Sequence, residues 1–512
     1  MLAPTAGARA QTDSPDREEA YGGPLPATPA PDTSVGSWGV FNAQNGQAAG
    51  WGPVARYAQA RWAEDWSWLR DRSAAGRHDW FDRLKFIRLD DRGSVYLTLS
   101  GEERLRTFHE SRPFLGTQRP VDSDRLLVRS VLGADLHLGP DIRTYVELVN
   151  GIAGGRRYYG YNAGNQRSRL ELQQGFLEIS GTVLGARAGV IGGRQVFLDA
   201  PPYVLSLRDL PNLVQSWNGL RGYAVWDRFR LDTFYLLQTD WLPAAMLADD
   251  ANWNARLFGA YGSWGLPGFR MAGRPGQLFA DLFYYGYLYS GAMAAIGGPG
   301  GSLDGSTRRD NVGVRLWGAA GPVELSVGGI HQGGRFHPRG GGSRPVDAYS
   351  VNASVSYRFA GLRGRPAAGI QADLFSGGDA RRRTGTVGTY AAPYFNVPFY
   401  NDVTTYLGPQ NAVSAGPVAE WKPWKQVTLR AHLPLFWRAS TNDDLYGTNR
   451  VYSFRDLHGG FVGALPQAGI AFQVTPHLAW SHDLAAFLAS SSLHRAGGRD
   501  GGFYMQTLDF KF

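Results

Sequence analysis

Residues 501–512 read GGFYMQTLDFKF, and the alternation in this stretch decides the fold class. In an extended strand, successive side chains point to opposite faces. The apolar face carries Leu508, Phe510 and Phe512, and the charged face carries Thr507, Asp509 and Lys511. Such a strand suits a wall that separates an apolar exterior from an aqueous interior. An ordinary amphipathic edge strand would show the same pattern, so the rest of the chain has to decide between the two.

The composition favours a protein built from many strands. The chain has 512 residues, with 68 Gly, 24 Tyr, 26 Phe and 16 Trp, and 19% of its residues are charged. Glycine and aromatic residues at this level are typical of short strands, turns and aromatic girdles at a membrane interface. No run approaches the ~18 apolar residues of a transmembrane helix, but barrel strands give a much weaker hydropathy signal. The absence of cysteine excludes disulfides and thiolate ligands, and we predict neither a metal site nor a cofactor.

The net charge of +8 comes mainly from arginine, because lysine occurs only at positions 85, 422, 425 and 511. The guanidinium group presents a planar fork of donors that suits carboxylates and phosphates. An anionic small molecule or polysaccharide fits this charge as well as a nucleic acid does. The chain has no zinc-finger spacing and no dense basic helix, so we predict no nucleic-acid partner.

The first 93 residues differ from the rest of the chain. Residues 1–10 end in Ala8-Arg9-Ala10, which is typical of the end of a secretory signal peptide, but a basic start and a long apolar middle are missing. We expect that translation begins upstream of this Met; the alternative is coincidence. Residues 11–50 are rich in Pro, Gly, Asp and Ala and predict a mobile leader.

Residues 51–93 predict a periplasmic segment that contains a short amphipathic helix. One helical face carries Ala58, Trp62, Trp66 and Leu69. We expect this helix to pack on the inner, periplasmic end of the protein that follows; a small separate domain is the alternative.

Period-two alternation begins at residue 94 and continues to the C-terminus. The predicted strands are 94–108, 124–139, 141–152, 168–180, 183–194, 216–226, 228–238, 254–264, 276–289, 308–319, 321–333, 346–360, 365–376, 411–421, 425–439, 459–475, 477–492 and 501–512. Tight turns are marked by Gly139-Pro140, Gly181, Asp227, Ala320-Gly321, Gly361–Gly364, Lys422–Trp424 and Pro476. The connections between them are long, and 265–275 is the one connection that is longer than its short peers.

Short turns at one rim and long loops at the other are the organisation of an outer-membrane barrel. A soluble protein of stacked sandwiches has no reason to alternate its loop lengths in this way. We therefore predict that residues 94–512 form an all-β, transmembrane, antiparallel up-and-down β-barrel of about 18 strands in the bacterial outer membrane, in contact with its lipids.

Arginine recurs on the polar side of at least seven of these strands. An arginine that faced lipid at mid-depth would cost ~2–4 kcal/mol, so these side chains are expected in the lumen. The basic candidates are Arg104, Arg106, Arg125, Arg129, Arg143, Arg230, Arg315, Arg358, Arg430 and Arg438, and the acidic ones are Glu102, Asp135, Glu147, Asp232 and Asp373. Strands 168–180 and 183–194 lose the phase of the alternation, which glycine-marked bulges would explain.

A lumen lined by arginine favours anions, since each guanidinium can hold a carboxylate through two parallel hydrogen bonds. The lumenal acids would keep any single binding site weak enough to release its occupant, as conduction requires. The alternative is that the arginines only balance the lumenal acids.

The chain resembles the alginate-export family of bacterial outer-membrane β-barrels, from about residue 61 to the C-terminus. The resemblance rests on the order and spacing of RWAEDWSWLRD (61–71), LKFIRL (84–89), YLTLSGEERLR (96–106), DRLLVRSVLGADLHLGPDIRTYVEL (124–148), LELQQGFLEI (170–179), GGRQ (192–195), RDNVGVRLWG (309–318), ADLFSGGD (372–379), GPQN (408–411) and LFWRASTNDDLYG (435–447). It implies an 18-stranded barrel through which an anionic polyuronate leaves the cell.

Carried over from those motifs, the leading lumenal positions are Arg104, Arg129, Arg194 and Arg438. The loop 377–410 carries Arg381, Arg382 and Arg383 near its start. It is long enough to fold into the channel mouth as a gate, or it could remain a surface loop. The terminal Phe512 resembles the end of other outer-membrane barrels and is the expected contact of the barrel-assembly machinery.

Three functions compete. The first is a channel that exports an alginate-like polyuronate, and the second is an uptake porin for small acidic sugars or organic anions. The third is an outer-membrane enzyme, which we reject because the chain has no G-x-S-x-G. Its His482-Asp483 pair and His432 likewise stand without a nucleophile elbow or an orienting group that the sequence can place beside them.

Overall fold

A computed structural model describes residues 57, 61–64, 66–70, 79–119, 121–158, 163–196, 209–290, 305–382, 384–392, 404–447, 450–452, 454 and 456–512. The predicted signal-peptide end (1–10) and leader (11–50) lie outside these residues, as does Arg383.

The polypeptide forms one closed antiparallel barrel of 18 strands, which confirms the predicted fold. In chain order these are β1 Val95–Ser111, β2 Asp122–Leu138, β3 Ile142–Gly154, β4 Ser168–Val183, β5 Ala186–Gln195, β6 Trp217–Val225, β7 Phe229–Asp240, β8 Asp250–Gly265, β9 Arg274–Tyr289, β10 Gly305–Ala320, β11 Val323–Pro338, β12 Arg344–Arg358, β13 Ala367–Phe375, β14 Ala412–Trp424, β15 Val427–His432 with Leu435–Trp437, β16 Phe461–Ala464 with Gln467–Gln473, β17 Leu478–Ala489 and β18 Gly501–Lys511. Each strand pairs with the next, and β18 pairs with β1 to close the barrel.

The C-terminal residue completes the closing seam. The backbone N–H of Gly101 donates to the carbonyl oxygen of Phe512 at 2.9 Å, and Phe512 donates back to Gly101 at 3.1 Å. The Phe512 ring covers the Cα of Gly101 so closely that a Cβ there would clash with it. Phe81 stacks on the Phe512 ring, with the two ring centroids 5.2 Å apart.

The two faces of the wall differ as the alternation predicts. In β10, Val312 and Val314 are 53% and 57% exposed. Arg315, which lies between Val314 and Leu316 in the sequence, is only 4% exposed. The same apolar, exposed face runs around the barrel, for example at Leu132 and Leu282. Apolar side chains that the protein leaves uncovered in this belt are the ones that lipid covers.

Proline interrupts two neighbouring strands. β15 breaks before Leu435 and β16 breaks before Gln467, and Pro434 and Pro466 stand at those breaks. Proline has no N–H to donate to the ladder, so regular pairing stops there. The N–H of Leu465 instead donates to the carbonyl oxygen of Pro434 at 3.0 Å.

The loss of phase in β4 and β5 has two causes. Glu147 pairs with Gln174 but Leu148 pairs with Leu172, so Gln173 is an extra residue that forms a bulge. The turn between the strands lies at Leu184-Gly185, where φ is +49° and +76°, and not at Gly181 as predicted. The predicted turn at Gly181 was therefore wrong.

The predicted N-terminal amphipathic helix is also wrong for the described part of residues 54–72. Two short 3-10 turns, Arg61–Ala63 and Ser67–Arg70, stand in its place, and a third turn spans Trp80–Leu84. Trp62, Trp66 and Leu69 are nevertheless buried as the pattern predicts. An isolated helix this short gains little from its own hydrogen bonds, so contacts with the barrel decide its shape.

Few other elements occur among the described residues. They are the short strands Ile87–Arg88, Phe269–Met271, Leu445–Gly447 and Arg450–Tyr452 and one α-helix, α1 Ser491–Arg495. Within the described ranges, no helix has the length and apolar character needed to cross a membrane.

Candidate functional site

The largest charged cluster on the inner face gathers three predicted arginines around one carboxylate that was not predicted. Arg104 Nη1 lies 2.9 Å from Asp209 Oδ1, and Arg129 Nη1 lies 2.6 Å from the same atom. Arg106 Nη2 lies 3.8 Å from Asp209 Oδ2. Arg104 and Arg106 project from alternate positions of β1 and Arg129 projects from β2, so the register of this hairpin brings them together.

Asp209 stays ionised in this cluster. Burial alone would raise the pKa of its carboxyl, but the charges of Arg104, Arg129 and Arg106 outweigh burial and hold the pKa well below its usual range. The carboxylate therefore neutralises part of the positive charge that the sequence predicts for the lumen.

Asp209 belongs to an inward-folded segment, 209–216, that lies against the inner face of the wall. Arg104 also donates to the carbonyl oxygen of Pro211 at 3.2 Å. The side-chain amide of Asn212 donates to the carbonyl oxygens of Val128 at 2.8 Å and Ile152 at 3.2 Å. The segment is thus bonded to three neighbouring strands, β1, β2 and β3, and narrows the barrel beside them.

A second buried network lies beside this cluster. Arg61, from the first 3-10 turn, bonds to Glu102 and, at 3.0 Å, to Glu147. Glu102 also accepts from Arg129 Nε at 2.6 Å, and Tyr145 donates to Glu147 at 2.7 Å. The two predicted acids Glu102 and Glu147 are therefore occupied by the N-terminal segment and by the wall itself.

The same pairing continues along the next strands. Asp232 accepts from Arg230 Nε at 2.6 Å and from Arg221 Nη2 at 2.7 Å, and all three side chains are buried. Arg315 Nε donates to Asp281 at 2.7 Å. Each of these guanidiniums has an acid of the same wall as its partner.

Five more of the predicted residues also have partners within the protein. Arg143 bonds to Glu178, Arg125 lies 2.9 Å from Glu110, and Arg358 donates to Glu324 at 2.6 Å and lies 3.6 Å from Glu420. Asp135 contacts His137 at 3.2 Å. Asp373 accepts from Asn352 at 2.7 Å and from the neutral side chains Gln371 and Ser414 at 3.3 Å and 3.4 Å.

A second inward segment, 384–392, comes from the long loop that was proposed as a gate. Arg309 donates to the carbonyl oxygen of Thr389, and Tyr287 donates to that of Ala391 at 2.9 Å. Arg381 and Arg382 at the start of the loop are exposed, and Arg382 pairs with Asp379 at 3.3 Å. Part of the loop therefore folds inward, but these two arginines do not reach the inner face.

The structure does not place Arg194 in the lumen. Arg194 shares the parity of Val190, which is 52% exposed, whereas the alternate residue Ile191 is buried. It donates to the carbonyl oxygens of Leu172 and Asp249 at the loop rim, at 3.0 Å and 2.8 Å. The position was carried over from the GGRQ motif (192–195), and the alternation of this strand was not clear enough in the sequence to test it.

The Arg438 guanidinium donates hydrogen bonds to backbone carbonyl oxygens. Its two terminal nitrogens donate to the carbonyl oxygens of Thr441 and Asp443, both at 3.2 Å, and of Leu457 and Gly459, at 3.0 Å and 2.6 Å. Arg438 therefore ties together the loop that connects β15 to β16.

Arg430 differs from all of these. It projects to the inner face from β15, is half-buried, and makes no hydrogen bond or ion pair within the described residues. His432, two residues further along the strand, has a buried Nε2 without a hydrogen-bond partner. Asp483 on β17 lies close enough for its charge and that of Arg430 to interact.

Sequence reasoning missed Asp209, Arg61, Arg221 and Asp281. In β9 the inner face carries Phe279 and Phe283 while the outer face carries Leu278 and Leu282, so both faces look apolar and Asp281 gives no contrast. Pairing β9 with β10 as a hairpin would have placed Asp281 opposite Arg315. Asp209 lies in a connection, where no periodicity exists to find it.

Among the described residues, no group of three or more histidines and acids is placed to hold a metal ion.

Solved structures share the fold over 81% of this chain. Pseudomonas aeruginosa OccK11 (OpdR) matches with a TM-score of 0.50, 12% identity and 96% of that chain covered. Pseudomonas aeruginosa OpdO and a BenF-like porin from Pseudomonas fluorescens Pf-5 also match with a TM-score of 0.50, at 14% and 12% identity, with 97% and 99% of those chains covered. At this identity the likeness shows the fold alone.

No curated protein sequence matches the chain. The sequence profile described as alginate export matches residues 95–505, which is most of the barrel. The fold and this match confirm the predicted outer-membrane location and the channel class. The chain belongs to the alginate export family of outer-membrane β-barrel proteins, a family of channels and not of enzymes.

Proposed function

We propose that the protein is an outer-membrane channel through which an anionic polysaccharide of the alginate type leaves the cell. The observation that supports this most is the separation of charge in the wall. Exposed apolar side chains form one face of the strands, and arginines of β1–β3, β6, β7, β10, β12 and β15 lie on the other. Family membership favours export of a polyuronate over passage of an unrelated anion.

The structure also limits how this charge acts. Most of the inner arginines are already bonded to the protein's own acids. The inner wall is therefore polar, but its positive and negative charges nearly balance, and few guanidiniums are available to a solute. Carboxylates of a moving polymer would then meet weak sites that release them again. Weak binding at many points is what a passive channel requires.

Ion selectivity in a planar bilayer tests this proposal. The purified protein should give a reversal potential of anion-selective sign in a KCl gradient. Oligomers of a polyuronate should reduce the current, and neutral dextran oligomers of the same length should reduce it much less. A cation-selective channel whose current polyuronate does not change would contradict the proposal.

Uptake of small acidic sugars or organic anions is the second candidate. The inward segments 209–216 and 384–392 favour it, because both narrow the barrel and so favour small solutes over a polymer. Liposome swelling separates the two functions. Rapid swelling in glucuronate, together with failure of polyuronate oligomers to enter the channel, would support uptake.

Three further expectations belong to this proposal. Residues 1–10 would end a signal peptide, residues 11–50 would form the leader, and residues 51–93 would lie at the periplasmic rim. The loop that begins with Arg381 would gate the channel mouth. Phe512 would be the residue that the barrel-assembly machinery binds before the seam with Gly101 closes over it.

A further inference from the structure

The inner wall at β15–β17 differs from the rest in that its charged residues are not paired with each other. Arg430 lies directly opposite Glu420 on one side and Gly469 on the other. Glu420 is turned towards Arg358, whose Nη2 lies 3.6 Å away. Gly469 has no side chain to offer. Arg430 is therefore left without an acceptor by its register neighbours.

The next acid beyond Gly469 is Asp483, because Gly469 pairs with Asp483 in the adjacent strand. Strands lie about 4.8 Å apart, so Arg430 and Asp483 are separated by roughly 10 Å at their Cα atoms. A Cβ added to Gly469 would lie 2.9 Å from Asp483 Oδ1, which shows that the Asp483 side chain leans over the glycine. Arg430, Gly469 and Asp483 thus form a notch with a cation on one side and an anion on the other.

His432 extends this notch along β15. It projects to the same face as Arg430, about 7 Å further along the strand. Its Nε2 is buried and has no hydrogen-bond partner in the described part of the chain. A buried polar atom without a partner costs free energy, and a site that leaves one unsatisfied is expected to satisfy it with a bound group.

We propose that Arg430, His432 and Asp483 form a subsite for a single uronate residue. The carboxylate of the sugar would accept two hydrogen bonds from the Arg430 fork, and a ring hydroxyl would donate to Asp483 across Gly469. His432 would accept from or donate to a second hydroxyl. Asp483 also repels a second carboxylate, so the subsite takes one acidic residue and releases it. This inference rests on the proposed function and names the place where that function contacts its substrate.

Block of the reconstituted channel by glucuronate tests the subsite. Arg430→Gln should weaken the block roughly tenfold, which is the loss expected for a charge-assisted pair of hydrogen bonds. Arg430→Lys keeps the charge but loses the planar fork, so it should retain anion selectivity and still weaken the block by about threefold. Both variants should fold, because none of the described side chains depends on Arg430 for a hydrogen bond or an ion pair.

Arg221→Gln is the matched control. It removes an inner-face charge of the same sign, and Arg230 still holds Asp232 in its absence. The block should change by less than about twofold, since this guanidinium is already occupied. Block by glucose, which lacks the carboxylate, should not change in either variant.

Two results would overturn the subsite, and they separate it from the function beneath it. Equal weakening by Arg430→Gln and Arg221→Gln in an anion-selective channel would mean that only total wall charge matters; the proposed function would then stand without the subsite. A wild-type channel that is cation-selective and indifferent to glucuronate would contradict both.

Discussion

Two arcs of the same wall handle charge in opposite ways. In the paired arc, β1–β10, buried guanidiniums meet acids of the chain itself, as Arg230 and Arg221 meet Asp232. In the open arc, β15–β17, Arg430 and Asp483 face inward, and neither has such a partner among the residues that the structure describes. The difference teaches that an inward-facing arginine is not by itself available to a solute. A guanidinium that an internal carboxylate already accepts acts as a structural group, and its removal is expected to cost stability before it changes transport.

The difference has a local cause. In the paired arc, register places acids directly or diagonally opposite arginines, and the inward segment 209–216 supplies one more carboxylate at Asp209. In the open arc, glycine stands opposite Arg430, and the proline breaks at Pro434 and Pro466 shorten regular pairing beyond it. The glycine and the two prolines thus leave no described side chain in this stretch of the wall that competes for Arg430.

The largest expected effect is the loss of a buried acid from the paired arc. Asp232→Asn leaves two buried guanidiniums without their carboxylate, which should lower the free energy of unfolding by about 3–5 kcal/mol. Asp483→Asn, the matched change in the open arc, should alter the free energy of unfolding by less than about 0.5 kcal/mol, since Asp483 has no bonded partner in the described part of the chain. Urea unfolding in detergent, followed by tryptophan fluorescence, measures both. Equal losses would remove the distinction between the arcs.

The next effect concerns the inward segment. Asp209→Asn takes the shared carboxylate from Arg104, Arg106 and Arg129, so amide exchange within 210–215 should become roughly 10- to 100-fold faster. Hydrogen exchange with mass spectrometry measures this. Asp347→Asn is the control, because Asp347 is exposed and pairs only with His331 among the ion pairs of the described residues. Unchanged exchange in Asp209→Asn would show that the backbone bonds of Asn212 hold the segment alone.

A smaller effect sharpens the shape of the open arc. In Gly469→Ala the new methyl group pushes the Asp483 carboxylate aside by a few tenths of an ångström, so glucuronate block should weaken by about two- to threefold. The conductance without sugar should not change. Gly181→Ala is the control, because nothing lies within 4 Å of a Cβ added there. Equal weakening of glucuronate block in both variants would show that the sugar does not bind at Gly469.

The smallest effect tests pH at the loop rim, next to the paired arc. Burial raises the pKa of Asp249 to about 6, and the charge of Glu171 adds to it against the hydrogen bond from Leu242. Because the folded pKa lies above the ordinary value, the protonated form favours the folded loop, and this stability is lost as pH rises through about 6. The loop 241–249 should therefore be more mobile at pH 7 than at pH 5.

Spin labelling measures this change. The chain has no cysteine, so a label at Ala245→Cys reports on the loop alone. The change in rotational correlation time should be less than about twofold, since the carboxyl is only partly shielded from solvent. The dependence should disappear in Asp249→Asn; if it persists there, another group titrates.

The strands were predictable because period-two alternation needs only local information. All 18 predicted strands occur, and their ends differ by a few residues. The inner and outer faces followed from the same alternation wherever its phase was clear, as at Arg315 between Val314 and Leu316. The phase was unclear where an extra residue enters, at Gln173, and where the turn lies at Leu184-Gly185, so the alternation could not test the face of Arg194.

The sequence by itself determined the number of strands, the short and long rims, and which residue types occupy each face, since each of these follows from neighbours along the chain. Only the tertiary structure decided which arginines are occupied. Asp209 reaches Arg104 across 105 positions of sequence, and Arg61 reaches Glu147 across 86. Such pairs depend on how connections fold back into a closed barrel, and no periodic pattern along a strand records where a loop will place its carboxylate.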